Sequence, residues 1–280
     1  MRLDIIVPSE GPFATEAVQA APLLEDMGYD GLWFTDHVVG INYKPVYTNT
    51  WLEILTTVAH VAARTKRVRL GTGVLVLPYR DAVLTAKMLT TIDVLSGGRL
   101  DLGVGTGWSR GEFHALGRGA LFEARGAATD ETLDVMLRCW QGGTFGWEGR
   151  WTSIRKMEFE PTPVQRPRIP IWVGARGTAS APLRRAAKYA DYWYPTSDVT
   201  PAQIREGGAL LDEMAGRAVP RTIRLLVPVT TPAAQIVDLL AQYRDAGCVQ
   251  ASVELKESAS LAVLLDAAGR LIAAAASLRA

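Results

Sequence analysis

Eight times along its 280 residues this chain sets a short apolar run ahead of a helical pattern, and that alternation limits the fold more than any single motif. Parallel strands cannot be joined by a tight turn and need a crossover, most often a helix. The strands read as LDIIVP (3–8), GLWFTDH (31–37), VRLGTGVLVLP (68–78), LDLGVG (100–105), PIWVGA (170–175), DYWYPT (191–196), TIRLLVPV (222–229) and VQASVEL (249–255). Eight such pairs in this length predict an α/β fold, a (β/α)8 TIM barrel occupying 1–280 as one domain. The near-continuous apolar character of VLVL and LLVPV fits strands covered on both faces. A doubly wound sheet is the alternative, but no composition break or polar linker divides the chain.

One stretch breaks the rhythm. Residues 142–169 are first aromatic and then Pro-rich, and read as a short hairpin with an extended connector, although PTPVQRP also resembles a proline-motif ligand. Before it, Asp81 is placed to cap a helix whose Leu84, Met88, Ile92 and Leu95 fall on one face, with Gly97 or Gly98 as its stop. A second helix is expected from Ala128 to Gly142.

Charge narrows the function classes. Thirty basic residues against 29 acidic ones leave a net charge of +1, too little to recruit nucleic acid or an anionic membrane surface. The basic run at Arg64 to Arg69 joins a helix end to a strand start, where cations complement the helix dipole. No window approaches the roughly 18 apolar residues of a membrane span, and the N-terminus reads as a strand rather than a signal peptide, so a cytoplasmic protein is expected. Cys139 and Cys248 lack a CxxC or His partner and read as buried, reduced thiols, with no metal site.

In an eight-fold barrel the chemistry lies where the strands end. The second strand exits into Thr35, Asp36 and His37. A carboxylate that orients an imidazole holds a proton-transfer group near neutral pH, and the same residues also fit a capped turn with a loop histidine. His60, on a helix, and His114, in a loop, read as structural. The fourth strand exits into GVGTGWSRGEF, whose alternate glycines suit a backbone pressed against a ligand, although the GxGxxG spacing of a dinucleotide site is missing. The fifth exits through Gly174, Ala175, Arg176 and Gly177 into a helix, which makes either an anion pocket or a plain turn. In the third strand Gly71 and Gly73 mark a bulge or a close approach to the backbone.

With TDH upstream and PIWVGA downstream, the run PYRDAVLTAKMLTTIDVLSGGRLDLGVGTGWSRGEFHALG resembles the luciferase-like monooxygenase superfamily, in particular its branch dependent on the deazaflavin coenzyme F420. The resemblance runs from Leu3 to about Pro195. It implies a cofactor lying across the strand ends. Its ring would rest on a bulge with a non-proline cis peptide at Gly73–Val74. Asp36 would lie near the pyrimidine edge of the ring, and His37 would handle protons. Gly105, Gly107 and Trp108 would line the cofactor, and Gly174, Ala175 and Arg176 would cradle its phosphate. Trp108 stands where the sugar-phosphate dehydrogenase branch has an acidic glutamate, and an indole cannot replace a carboxylic acid as proton donor. Gly111 stands where typical relatives carry an acid.

The function so implied is hydride transfer between the deazaflavin and a small organic substrate, with Asp36 and His37 governing protonation. Trp33, Trp108 and Tyr43 to Tyr47 would form an apolar roof. The alternative is a monooxygenase using flavin mononucleotide (FMN), with reduced flavin supplied by a partner reductase; a third reading is a non-catalytic barrel. A homodimer through the apolar faces of VMLRCW and TTVAHVAA is a further implied partnership.

Overall fold

Trp33 sets the interior of the fold. Strand alternation sends Leu32 and Phe34 outward to the helices and turns Trp33 into the sheet's concave side, where it packs with Trp172 and Tyr194 at ring-centroid distances of 4.8 and 4.9 Å. The computed structural model describes residues 1–40, 50–175, 180–195 and 198–279. In chain order the first strands are β1 (Arg2–Ile6), β2 (Gly31–Phe34), β3 (Arg69–Thr72), β4 (Leu75–Val76) and β5 (Leu100–Gly105). An antiparallel hairpin follows, β6 (Gly143–Glu148) with β7 (Ser153–Phe159), and then β8 (Ile171–Val173), β9 (Tyr192–Trp193), β10 (Arg221–Pro228) and β11 (Cys248–Lys256).

Apart from the hairpin, every pairing between the strands of the described residues is parallel. The order β3-β2-β1-β11-β10-β9-β8-β5 returns on itself, because β5 pairs with both β3 and β4. The sheet is therefore a closed barrel of eight positions, as the alternation predicts, and its third position is split by Gly73 and Val74. The peptide between those two residues is cis.

The two glycines of the third strand have separate reasons. A Cβ on Gly71 would stand 2.1 Å from Trp33 Cδ2, so Gly71 is bare because the indole fills the barrel there. Gly103 on β5 is bare for a related reason, since its Cβ would stand 1.9 Å from the Thr72 carbonyl oxygen. Trp33 itself is fully buried and donates from Nε1 to Asp4 at 2.6 Å. It belongs to the barrel core and not to a roof over a ligand, a correction that follows from its inward strand position.

The helix Ala82–Ser96 begins on Asp81, whose Oδ1 accepts from the Leu84 amide at 2.9 Å, and stops at Gly97 in the left-handed region. Its expected face is only half right: Ile92 is buried and Met88 packs against the core, but the two leucines do not. Leu84 and Leu95 are 61% and 79% exposed, while Ala82, Thr85, Ala86, Leu89, Ile92 and Asp93 are buried. Small side chains permit close packing, and Asp93 faces inward because it accepts from the amides of Val164 and Gln165 and from Gln165 Nε2, tying down the connector after the hairpin. The next long helix is Arg125–Trp140, starting three residues before Ala128. From it Glu131 accepts the backbone N–H groups of Arg150, Trp151 and Thr152 at 2.7–2.9 Å, which anchors the hairpin tip.

The faces expected to pair two subunits are used within the chain. Val135, Met136, Cys139 and Trp140 are buried, as are Val58, Val61 and Ala62. Burial pushes the Cys139 and Cys248 thiols up to about 11 and about 12, so both stay protonated, and they are unbridged. Among the described residues no helix is long and apolar enough to cross a membrane.

Candidate active site

Asp36 and His37 leave β2 together, but their side chains take different partners. The Asp36 carboxylate receives a two-pronged ion pair from Arg80, at 2.6 and 2.8 Å, and the Val76 amide at 2.8 Å. Arg80 also reaches Glu53 at 3.0 Å. Burial pushes the Asp36 carboxyl up, and the Arg80 fork and the Val76 amide oppose that by favouring the charged form. Asp36 thus ties β2 to β4. The sequence expectation that its carboxylate orients the neighbouring imidazole is corrected here.

The carboxylate that does so is Glu112. Its Oε2 lies 2.9 Å from His37 Nδ1, its Oε1 accepts the Val38 amide at 2.8 Å, and Tyr79 donates to it at 3.3 Å. Glu112 sits on the short helix Arg110–Ala115 and is 1% exposed. Burial works against its ionisation, but the bonds from His37 and Val38 outweigh this and hold the carboxyl below the usual glutamate range. A carboxylate only accepts hydrogen bonds, so Nδ1 of His37 carries the hydrogen of this contact. The imidazole contacts Trp51 and Trp108, at ring-centroid distances of 4.3 and 5.8 Å. Trp108 is 60% exposed.

At the same end of the barrel, just before β4, the chain builds a ledge at Val74. A Cβ on Gly105 would stand 2.4 Å from Val74 Cγ2, and one on Gly174 would stand 3.3 Å from Val74 Cγ1. Absent side chains at the ends of β5 and β8 therefore make the notch that seats Val74. Gly107 turns with φ +75°, packed against Val76. Ala175 is buried and its carbonyl accepts from Trp193 Nε1 at 3.0 Å. The chain leads on to the helix Ser180–Tyr189, while Arg176, Gly177 and Tyr43 to Tyr47 lie outside the described residues.

The structure thus brings Val74, Gly105 and Gly174 together, next to β4 and Gly107, with His37 and Trp108 at the same strand ends. His60 is exposed, and His114 lies on the helix Arg110–Ala115 rather than in a loop. Among the described residues no group of three or more His, Cys, Asp or Glu side chains could hold a metal ion.

A family model described as luciferase-like monooxygenase matches residues 1–277. The chain belongs to that family. Among its luciferase-like relatives is pyrimidine monooxygenase RutA of Bradyrhizobium sp. strain BTAi1, 28% identical over 231 residues, which are 79% of this chain and 62% of that protein. Another is the F420-dependent glucose-6-phosphate dehydrogenase of Amycolatopsis mediterranei, 29% identical over 177 residues, 62% of this chain and 50% of that one. The match to the first of these relatives spans less than two thirds of its length, and the match to the second spans half. An F420-dependent secondary alcohol dehydrogenase, solved with an F420–acetone adduct, superposes with a TM-score of 0.83 over 98% of both chains at 15% identity, a likeness of fold. The luciferase-like family to which the chain belongs thus includes both F420-dependent and flavin-dependent enzymes among its relatives.

Sequence reasoning missed Glu112 and Arg80 in this luciferase-like site. Glu112 stands one position past Gly111, where typical relatives carry an acid, and that adjacency was the available signal; the structure places it on the helix Arg110–Ala115. Arg80, immediately before the Asp81 cap, carried none.

Proposed function

We propose that this chain moves a hydride between coenzyme F420 and a small organic alcohol or carbonyl compound, with His37 as the proton-handling residue. The single observation that carries the reading is the Glu112–His37 dyad at the strand ends that also present the Val74 ledge. Hydride transfer to or from a carbon bearing oxygen needs a partner for the proton on that oxygen.

The residues present fit a flat tricyclic cofactor. Gly105 and Gly174 lack side chains where the ledge is built, and the β8 exit runs through Gly174 and Ala175 toward a helix start, which suits a phosphate. When bound, the deazaflavin supplies a ring carbon that carries two electrons as a hydride. His37 Nε2 takes the proton of a substrate hydroxyl or returns one to a carbonyl. Glu112 holds Nδ1–H and stabilises the imidazolium. Asp36 keeps β4 and its Val76 amide in place through the Arg80 pair. Trp51 packs against the imidazole and Trp108 meets it edge-on.

The runner-up is an FMN-dependent monooxygenase served by a partner reductase. The pyrimidine monooxygenase, matching 79% of this chain, favours oxygen chemistry over hydride transfer alone. Titrating the apo-protein with F420 and separately with FMN, followed by fluorescence, distinguishes the two. Micromolar or tighter binding of F420 with turnover of an alcohol or ketone supports the proposal. Preference for FMN with oxygen consumption replaces it by the runner-up.

A further inference from the structure

We propose that Arg224 is a positioning residue that fixes the Val74 ledge, and with it the seat of the cofactor ring, by holding the Gly73 carbonyl from the opposite wall of the barrel. The inference rests on the reading that a cofactor ring lies on that ledge.

Arg224 belongs to β10, and β11, β1 and β2 separate that strand from β3 around the barrel, so a contact between the two sides crosses the interior. The contact is direct, because Arg224 Nη1 donates to the Gly73 carbonyl oxygen at 2.8 Å. From the near side the Gly73 amide donates to Phe34 O on β2 at 2.7 Å. Both polar groups of Gly73 are therefore held, one by the adjacent strand and one by a guanidinium across the mouth. The next residue is Val74, seated against Gly105 and Gly174.

The guanidinium is itself oriented. Its Nε donates to Glu254 Oε2 at 3.0 Å, Lys256 reaches Glu254 Oε1 at 2.9 Å and Glu10 Oε1 at 3.4 Å, and Glu10 Oε2 accepts from Thr35 Oγ1 at 2.9 Å. The Arg224 and Glu254 side chains are only 18% and 8% exposed. Ion pairs so far from water stabilise a fold little, since their desolvation offsets their attraction, and apolar replacements of similar volume are often neutral or better. A pair retained for its geometry should therefore be separable from stability, and that gives the test.

The double variant Arg224→Met with Glu254→Gln removes both charges, and Arg224→Lys keeps the charge and a donor. Thermal melting and circular dichroism report the fold. Fluorescence titration with F420 and with FMN reports affinity, and the absorbance spectrum of the bound cofactor reports the environment of its ring. The double variant is expected to melt within a few degrees of wild type yet bind at least about tenfold more weakly, with the bound spectrum moved toward that of free cofactor. Arg224→Lys is expected to fall between. Wild-type affinity and spectrum in the double variant overturn the proposal, and so does an Arg224→Lys protein no better than the double variant. Should the double variant not fold, Arg224→Lys decides alone: weakened binding with a shifted spectrum supports the assignment and wild-type binding overturns it. If wild type binds neither cofactor, this proposal and the proposed function fail together, whereas tight wild-type binding with unaffected variants overturns only the role of Arg224.

Discussion

Nδ1 of His37 lies 2.9 Å from Oε2 of Glu112, a carboxylate 75 positions later in the chain, and this pairing places the ring hydrogen on Nδ1. Glutamine at position 112 keeps the shape and an acceptor but loses the charge that stabilises an imidazolium. Glu112→Gln should therefore lower the single-turnover rate by about 10²-fold with the best substrate of an alcohol and ketone panel. Cofactor affinity should stay unchanged. Equal rates in the two proteins would remove Glu112 from the chemistry.

Acid stability should reflect the same residue. Glu112, Glu25 and Glu254 are each pushed up by burial, but stronger opposing interactions hold all three below the ordinary value of 4.5. For Glu112 these are bonds from His37 and Val38, for Glu25 the amides of Val68, Arg67 and Lys66, and for Glu254 the charges of Arg224 and Lys256. A carboxyl depressed in the folded state binds protons more weakly there than in the unfolded chain. Its stabilisation is complete above the unfolded value and is lost as pH falls through the folded one. Urea midpoints should be level near neutrality and fall below pH 4.5, and the Glu112→Gln protein should show a shallower fall.

Two glycine substitutions should have opposite signs. Gly71→Ala drives a methyl into the Trp33 indole and should destabilise by about 1–3 kcal/mol or more. Gly269 lies within the helix Leu261–Ala274 with no atom within 4 Å of its would-be Cβ, so Gly269→Ala should stabilise by about 0.5–1 kcal/mol. Denaturant unfolding of both checks the pair, and a tolerated Gly71→Ala would contradict the packing described for the barrel interior.

Arg80→Met should be among the most destabilising single changes at the barrel mouth. It leaves the buried Asp36 carboxylate without its ion-pair partner, a loss of about 3–5 kcal/mol. Adding Asp36→Asn should recover much of that loss. A double variant no more stable than Arg80→Met would show that the guanidinium matters for its packing alone.

Much of the fold was legible because its cause is periodic. Strand and helix alternation, the Asp81 cap and the Gly97 stop are local in sequence, and the barrel follows from them by parallel pairing. The face of the helix Ala82–Ser96 was not legible. Leucines marked one side, but the buried side was decided by close packing and by the bonds from Asp93 to a connector some 70 residues away.

The sequence by itself determined that the strand-end residues gather at the barrel mouth, since the alternation sets the order of the strands, but not that Arg80 and Glu112 join them from outside the strands. It placed Asp36 and His37 side by side, and adjacency suggested a pair. Only the tertiary structure decided the partners: Arg80 for Asp36, Glu112 for His37, Trp33 rather than a ligand against Gly71. The physical reason is that successive side chains of an extended segment point to opposite sides, so neighbours in sequence meet different walls of the barrel, and a buried charge is matched by whatever group the closed sheet brings within reach.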